Sequence, residues 1–198
     1  MDVRAEILTT ATRLFARQGF HRTTLQAIAD EVGIRKPSLL YHYPSKDHLR
    51  LSVLEKLIEH WNDVLPRLLG AVSRGDERFE VLVRELVGFF REDPDRARLV
   101  VRELMDRPTE MREHLAAGVR PWVDLLSEYI RKGKQSGELH ADVDPEAYVV
   151  HVITLVVSGM AAAPVLSGLL QDDDSARERH VRELVRIARA SLFTHAPR

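Results

Sequence analysis

The segment that decides the fold is residues 23–49, TTLQAIADEVGIRKPSLLYHYPSKDHL, which contains two short helices, a tight turn between them and the start of a third helix. In its first part, apolar residues from Leu25 to Val32 recur at the spacing of one helix face. Thr24 precedes this run as a helix cap, and Gly33 follows it as the left-handed residue that stops the helix. The pattern therefore predicts a helix over residues 25–32.

A second, shorter helix is predicted to start near Lys36 or Pro37 and to run to about Tyr43. Proline fits the first turn of a helix, where no amide bond is lost, and Pro44 pushes the residue before it out of the helical region. Ser45 can then cap a third helix whose first residue is Lys46. Backbone amides and a lysine would thus meet at one helix N-terminus, which suits a DNA phosphate.

The residues before this segment predict one more helix, over about residues 3–18. Ile7, Ala11 and Leu14 recur at helical spacing, and Gly19 follows as a stop signal. The three helices would enclose a small core of their own.

The order and spacing of these residues resemble the N-terminal domain of the TetR family of transcriptional regulators. The resemblance implies an all-α protein in which a three-helix, helix-turn-helix DNA-binding domain (residues 1–50) is joined to a larger helical effector-binding and dimerisation domain (residues 51–198). Carried over residue by residue, the family motif implies DNA contacts, mostly to phosphates. The residues so implied are Thr24, Lys36, Ser38, Tyr41, His42 and Lys46.

Two positions depart from the family pattern. Arg35 stands where many members have a serine, and Leu40 stands where many have a tyrosine. The aromatic side chain of Tyr41 is displaced by one residue, which is about 100° around a helix. Tyr41 could read bases or could replace the missing aromatic residue as a contact to the DNA backbone, and both alternatives stay open.

Composition agrees with a DNA-binding head on an ordinary soluble body. The net charge of the 198 residues is -1, but residues 1–50 hold eight Lys or Arg against five Asp or Glu, whereas residues 51–198 hold 21 against 25. The absence of cysteine excludes a disulfide scaffold and thiolate metal sites. A basic leader with an apolar run is missing, as is a stretch of about 18 apolar residues, so we expect a cytoplasmic protein without a membrane partner.

The last third of the chain predicts a helical hairpin. Its first helix, about residues 147–170, is apolar around most of its circumference and must be covered on more than one side, either within the monomer or by a second chain. The family resemblance implies a homodimer, in which two hairpins form a four-helix interface and two heads read a palindromic operator. The residues expected at that interface are Val156, Gly159, Ala163, Leu184 and Ile187.

Aromatic and polar side chains of the body suggest an effector pocket. Trp122 and Tyr129 share one face of a predicted helix, and His151 interrupts the apolar stripe of another. Backbone carbonyls or a facing subunit could equally satisfy such polar groups, and an aromatic stripe can be ordinary core. The hypothesis is an apolar cavity for a small, mainly hydrophobic molecule. Its predicted lining is Trp61, Phe90, Met105, Trp122, Tyr129 and His151.

Two other classes of function compete with a regulator. An enzyme would explain the nine histidines, but the sequence contains no HExxH, no Gly-x-Ser-x-Gly and no phosphate loop. No catalytic residue, metal site or cofactor is therefore predicted. A helical interaction module would explain the bundle but would leave the pattern over residues 24–46 as coincidence. We predict a DNA-binding transcriptional regulator, and the resemblance implies a TetR-type repressor released from its operator by a small ligand.

Overall fold

The computed structural model describes residues 2–71, 75–170 and 175–194. Its first three helices form an N-terminal head. They are α1 (Val3–Gln18), α2 (Leu25–Val32) and α3 (Lys36–His42). The first two helices begin and end where the sequence predicts, and α3 begins at Lys36, one of the two predicted starts, and ends one residue before Tyr43.

The other helices form the body, which the fourth helix enters directly from the head. They are α4 (Lys46–Ala71), α5 (Gly75–Glu92), α6 (Pro94–Asp106), α7 (Pro108–Gly118), α8 (Arg120–Gln135), α9 (Pro145–Leu166) and α10 (Ala176–Ala190), with a 3-10 turn (Ser167–Leu169) after α9. Within the described ranges the only pairing of extended residues is an isolated bridge between Leu139 and Phe193. The predicted all-α fold is confirmed.

Capping residues fix the ends of the helices in the head. The side chain of Thr24 accepts a hydrogen bond from the backbone N–H of Ala27 at 3.0 Å, which satisfies a free amide of α2. Gly33 adopts the left-handed conformation, with φ of 76°, and ends this helix. Ser45 accepts a bond from the amide of His48 at 3.0 Å at the start of α4. All three roles are as the sequence predicts.

The sequence does not predict α7 as a separate helix. The backbone of Arg107 leaves the helical region, with φ of -139°, and Pro108 then occupies the first turn of a new helix. A proline that usually marks the end of a helix thus also starts the next one. A second proline, Pro66, lies inside α4, which continues to Ala71.

Residues of α4, α6 and α7 complete the core of the head. Phe15, Ile28 and Tyr43 are fully buried in this core. Leu99 of α6 and Met111 of α7 belong to the same cluster, and Leu99 is 1% exposed. The head therefore packs on α6 and α7 as well as being continuous with α4.

One side of α9 packs in the core of the body, and the other side is open. Val156 and Met160 are buried against α6, α8 and α10, whereas the outer side exposes apolar residues such as Val150 and Val165. By length and composition alone residues 145–169 could cross a membrane, but core helices of soluble proteins meet the same test. Only one side of this apolar helix is covered. Its other side therefore needs a further surface to exclude water from it.

Candidate DNA interface and ligand cavity

The outer side of α3 carries four of the six predicted DNA-binding residues. Lys36, Ser38 and Tyr41 are exposed, and the Tyr41 side chain is 85% accessible. The ring of His42, which is half-buried, lies 5.4 Å from that of Tyr41 in an edge-to-face contact. Leu39, on the opposite side, is completely buried and anchors the helix to the head. This surface has the polar and aromatic groups that a recognition helix needs in a DNA groove.

Lys46 has a different environment from the one expected of a phosphate-binding lysine. Its Nζ donates hydrogen bonds to the backbone carbonyls of Phe20 and Thr23, at 2.9 and 3.0 Å, and lies 4.3 Å from the centre of the Phe20 ring. The lysine therefore ties α4 to the turn between α1 and α2. Only one of its three N–H groups is left for another acceptor.

Arg35 is an exposed cation that the DNA-binding prediction omitted. It precedes α3 directly, and its side chain makes no capping bond to this helix. Together with Lys36 it places two positive charges at the start of the candidate recognition helix. The departure from the family serine at this position was the signal that could have identified it.

A buried ion-pair cluster connects the head to the body. The guanidinium of Arg50, on α4, donates hydrogen bonds to Glu103 of α6 at 2.7 Å and to Glu110 of α7. Burial alone would lower the pKa of Arg50, but bonds and charge attraction from both carboxylates outweigh it and hold this pKa above its usual value. The Arg50 side chain is 4% exposed and that of Glu103 is 3% exposed. One side chain thus joins three helices.

The body contains a partly open cavity of about 570 Å³. Helices α4, α5, α7, α8 and α9 supply most of its wall, which is predominantly apolar. Four of the six predicted lining residues are present in that wall, namely Trp61, Phe90, Trp122 and Tyr129. A cavity of this size is in the usual range for a small-molecule site.

Met105 and His151 do not line the cavity, so this part of the predicted lining is wrong. Met105 is 77% exposed near the end of α6. His151 lies on the open side of α9, whereas Val152 and Tyr148 of the same helix face the cavity. Adjacent residues of a helix point about 100° apart, which separates His151 from its neighbour Val152.

Hydrogen bonds occupy two of the polar groups in the wall. The indole Nε1–H of Trp122 donates to Asn62 Oδ1 at 2.7 Å, and the hydroxyl of Tyr148 donates to the carbonyl of Ala188 at 2.6 Å. Burial raises the pKa of Tyr148 well above its ordinary value, so this hydroxyl stays protonated. Sequence reasoning missed Tyr148 and also His114, which lines the cavity from the unpredicted α7.

The predicted dimer residues divide between the inside and the outside of the chain. Val156, Ala163 and Leu184 are buried within the monomer, which contradicts their assignment to an interface, and Ile187 is 46% exposed. A Cβ atom on Gly159 would lie 2.8 Å from Cδ1 of Leu184, so this glycine allows α10 to approach α9 in the same chain. The side of α9 that stays open includes Val150, Thr154, Leu155, Ser158 and Val165.

Comparison with known proteins agrees with this architecture. Residues 7–53 match the family described as "Bacterial regulatory proteins, tetR family", and residues 100–184 match "Tetracyclin repressor-like, C-terminal domain". Among the residues that the structure describes, no three His, Asp or Glu side chains cluster as metal ligands.

Similar proteins include curated regulators and solved structures. The transcriptional regulator RutR of Escherichia coli K12 is 29% identical over 156 residues, which are 76% of this chain and 68% of RutR. LmrA of Bacillus subtilis is 26% identical over 83% of this chain and 92% of its own length. A transcriptional regulator of Saccharomonospora viridis, solved in complex with choline, superposes with a TM-score of 0.74 at 24% identity and covers 97% of this chain and 98% of its own.

The head and these matches define a helix-turn-helix, DNA-binding transcriptional regulator. Its body has the helical architecture of an effector-binding domain. The chain belongs to the TetR family. Members of this family regulate transcription and are generally not enzymes.

Proposed function

We propose that this protein is a homodimeric, cytoplasmic repressor that leaves a palindromic operator when a small, mainly hydrophobic molecule occupies the cavity. The observation that carries the proposal is that α4 is both the last helix of the head and a wall of the cavity, since Lys46 starts it and Leu54, Trp61 and Leu69 line the cavity. A ligand that fits one position of α4 better than another therefore changes the position of the head.

The Arg50 cluster provides a second connection between the two sites. Met111, His114 and Leu115 of α7 line the cavity, and Glu110 of the same helix bonds to Arg50. A ligand that displaces α7 would pull on α4 through this charged contact. Both α4 and α7 thus couple the occupancy of the cavity to the position of the head.

Dimerisation is supported by the open side of α9 together with Ile187 of α10. Val150, Leu155 and Val165 are 48%, 38% and 78% exposed on this surface, and exposed apolar patches of this kind often mark protein–protein interfaces. Pairing two such surfaces by a twofold axis would form a four-helix bundle and would hold two heads for the two half-sites of a palindrome.

Operator selection from genomic fragments, followed by footprinting, tests the proposal. We expect a twofold-symmetric protected site whose half-sites are about 34 Å or a simple multiple apart. A hydrophobic ligand found by thermal-shift screening should release the protein from this site, and a promoter fusion should then show derepression. Protection of one asymmetric half-site, or a ligand that binds without changing DNA affinity, would contradict the proposal.

A further inference from the structure

The cavity extends along the axis of the helical bundle. Its lining on α4 runs from Leu54 to Leu69, which corresponds to about 22 Å at roughly 1.5 Å per residue. The wall opposite runs in the same direction, because Gly118 packs on Ile58 and Trp122 bonds to Asn62 one helical turn further along.

The two ends of this cavity differ in charge. At the end remote from the head, the wall includes Arg78 of α5, Lys132 of α8 and Glu138. At the end next to the head, Leu54, Val100, Met111 and Leu115 are apolar. His114 is the one titratable side chain there among the described lining residues.

We propose that the ligand is a single-chain anionic amphiphile, a linear acyl chain with a negatively charged head group. The apolar chain lies along α4 with its end towards the DNA-binding head, and the anionic group lies at the remote end near Arg78 and Lys132. This inference rests on the proposed function, because it names the chemical class of the ligand that occupies the same cavity.

The charges at the remote end favour an anion over a cation. Two basic side chains outnumber the single carboxylate of Glu138, and an arginine can bind a carboxylate through two parallel hydrogen bonds. The Arg78 guanidinium lies 4.7 Å from the centre of the Tyr129 ring, a cation–π contact that holds it beside the cavity. Lys132 is largely exposed, with its Nζ 4.0 Å from Glu128, so it can move towards a ligand at the opening.

The shape of the cavity favours a chain over a compact molecule. Apolar side chains from five helices surround its length, so each added methylene of a linear ligand removes further apolar surface from water. A linear chain can follow the whole length of this wall, whereas a compact molecule contacts only part of it. Affinity should therefore rise with chain length until the apolar end is filled.

Tryptophan fluorescence of the full chain tests the inference directly, because both of its tryptophans, Trp61 and Trp122, line the cavity. The probes are octanoate, dodecanoate and hexadecanoate, with hexadecanol, hexadecyltrimethylammonium and cholate as neutral, cationic and polycyclic comparisons, all below their micellar concentrations. We expect an affinity gain of up to about fourfold per methylene in the carboxylate series. A brominated acyl chain should quench both tryptophans.

Substitutions at the two ends of the cavity test separately the binding of the ligand's charged group and of its acyl chain. Arg78→Gln with Lys132→Gln should weaken dodecanoate by about tenfold and leave the alcohol unchanged. The matched control is Arg84→Gln with Lys56→Gln, which removes the same charge from exposed positions outside the cavity. Val100→Phe should fill the apolar end, weakening hexadecanoate by about tenfold while octanoate binds as before.

Several results would overturn the inference. These are tighter binding of the ammonium compound or of cholate, affinity independent of chain length, or equal losses in the charge variant and its control. Such results leave the proposed repressor function intact if another ligand releases the operator. Conversely, acyl binding with the expected pattern but without DNA release would refute the proposed function and support the ligand class.

Discussion

Arg50 of the head-proximal part of α4 and Glu103 of α6 form a buried ion pair, with 2.7 Å between the guanidinium and the carboxylate. The pair lies at the junction where the head, α6 and α7 meet. Arg50 also contacts the ring of Phe20 at 5.6 Å, as Arg107 does at 4.4 Å, so the junction contains several cations around one aromatic side chain. Removing Glu103 should have a large effect, because Arg50 would lose its buried partner and keep only Glu110, which is half-exposed.

For Glu103→Ala we expect a loss of about 3–5 kcal/mol in the free energy of unfolding, measured in urea. Glu183→Ala, which removes an exposed pair on α10, is the control and should change little. The double variant Arg50→Met with Glu103→Leu should recover most of the stability. If that double variant still releases DNA fully at saturating ligand, the ion pair does not couple the two sites.

Two tyrosines at the end of α3, one in its last turn and one just after it, should respond in opposite ways. Tyr41→Ala should leave the unfolding temperature unchanged and weaken specific DNA binding by about 10- to 100-fold, because Tyr41 is exposed on α3. Tyr43→Ala should destabilise the protein by about 3–5 kcal/mol, because Tyr43 is fully buried. Gel shifts and thermal unfolding check both, and normal operator affinity of a folded Tyr41→Ala protein would remove this residue from the interface.

The salt dependence of DNA affinity should distinguish the role of Lys36 from that of Lys46. Lys36→Ala should reduce the slope of log affinity against log salt by about one, as expected for one lost phosphate contact. Lys46→Ala should keep that slope and lower the free energy of unfolding by about 1.5–3 kcal/mol, since its ammonium bonds two carbonyls of the head. If Lys46→Ala instead reduces the slope of log affinity against log salt and leaves the stability unchanged, Lys46 contacts a DNA phosphate.

Val165→Arg should dissociate the dimer without unfolding the chain. The side chain is 78% exposed on the open side of α9, so a charge there is tolerated by the monomer and excluded from a buried interface. Sedimentation should change from about twice 22.6 kDa to one chain mass. Gly159→Arg is a poor test because any side chain at this position would collide with Leu184 of the same chain. Wild-type protein that sediments as a monomer at micromolar concentration would refute the arrangement.

Stability should fall on mild acidification, in part because of His60. Burial is the main cause that lowers the pKa of His60, with Arg96 adding to it, while nearby carboxylates oppose it. The unfolded chain then binds a proton more readily than the folded one, so stability is full above about pH 6.5 and is lost as the pH falls towards the folded pKa.

His60→Phe tests this contribution because a phenyl ring can keep the stacking on Phe89, which is 4.3 Å away. The variant should lose less stability than wild type between about pH 7 and pH 5. The exposed His21→Gln serves as the control and should behave as wild type. An identical acid profile in all three proteins would show that His60 titrates normally.

The head was more predictable from sequence than the cavity and the outer surface of the body. Thr24 and Gly33 act locally, through a cap and a left-handed residue, so the ends of α2 follow from neighbouring residues alone. The apolar helix α9 gives no such guidance, because the pattern is apolar on every side. Val156 and Val165 look alike in sequence, yet one faces the chain's own core and the other faces outwards.

The cavity lining was predicted where aromatic residues lie on helices with one clear apolar face. Trp122 and Tyr129 belong to such a helix, and both were predicted correctly to face the cavity. Met105 was misplaced because the chain turns at Arg107 and carries the following residues into α7. The same turn hid His114, since a helix that starts at a proline after only one non-helical residue has no separate signal in the sequence.

Leu99 and Met111 give the head a core that its own first fifty residues do not complete. An excised fragment of those residues would lack Leu99 and Met111 and so would have an incomplete core. The segment that contacts DNA is therefore shorter than the segment needed for that core to form. Transplanting this head onto another effector domain would therefore require α6 and the start of α7 to travel with it. Recombination between relatives should preserve these segments together, even though about fifty residues separate them along the chain.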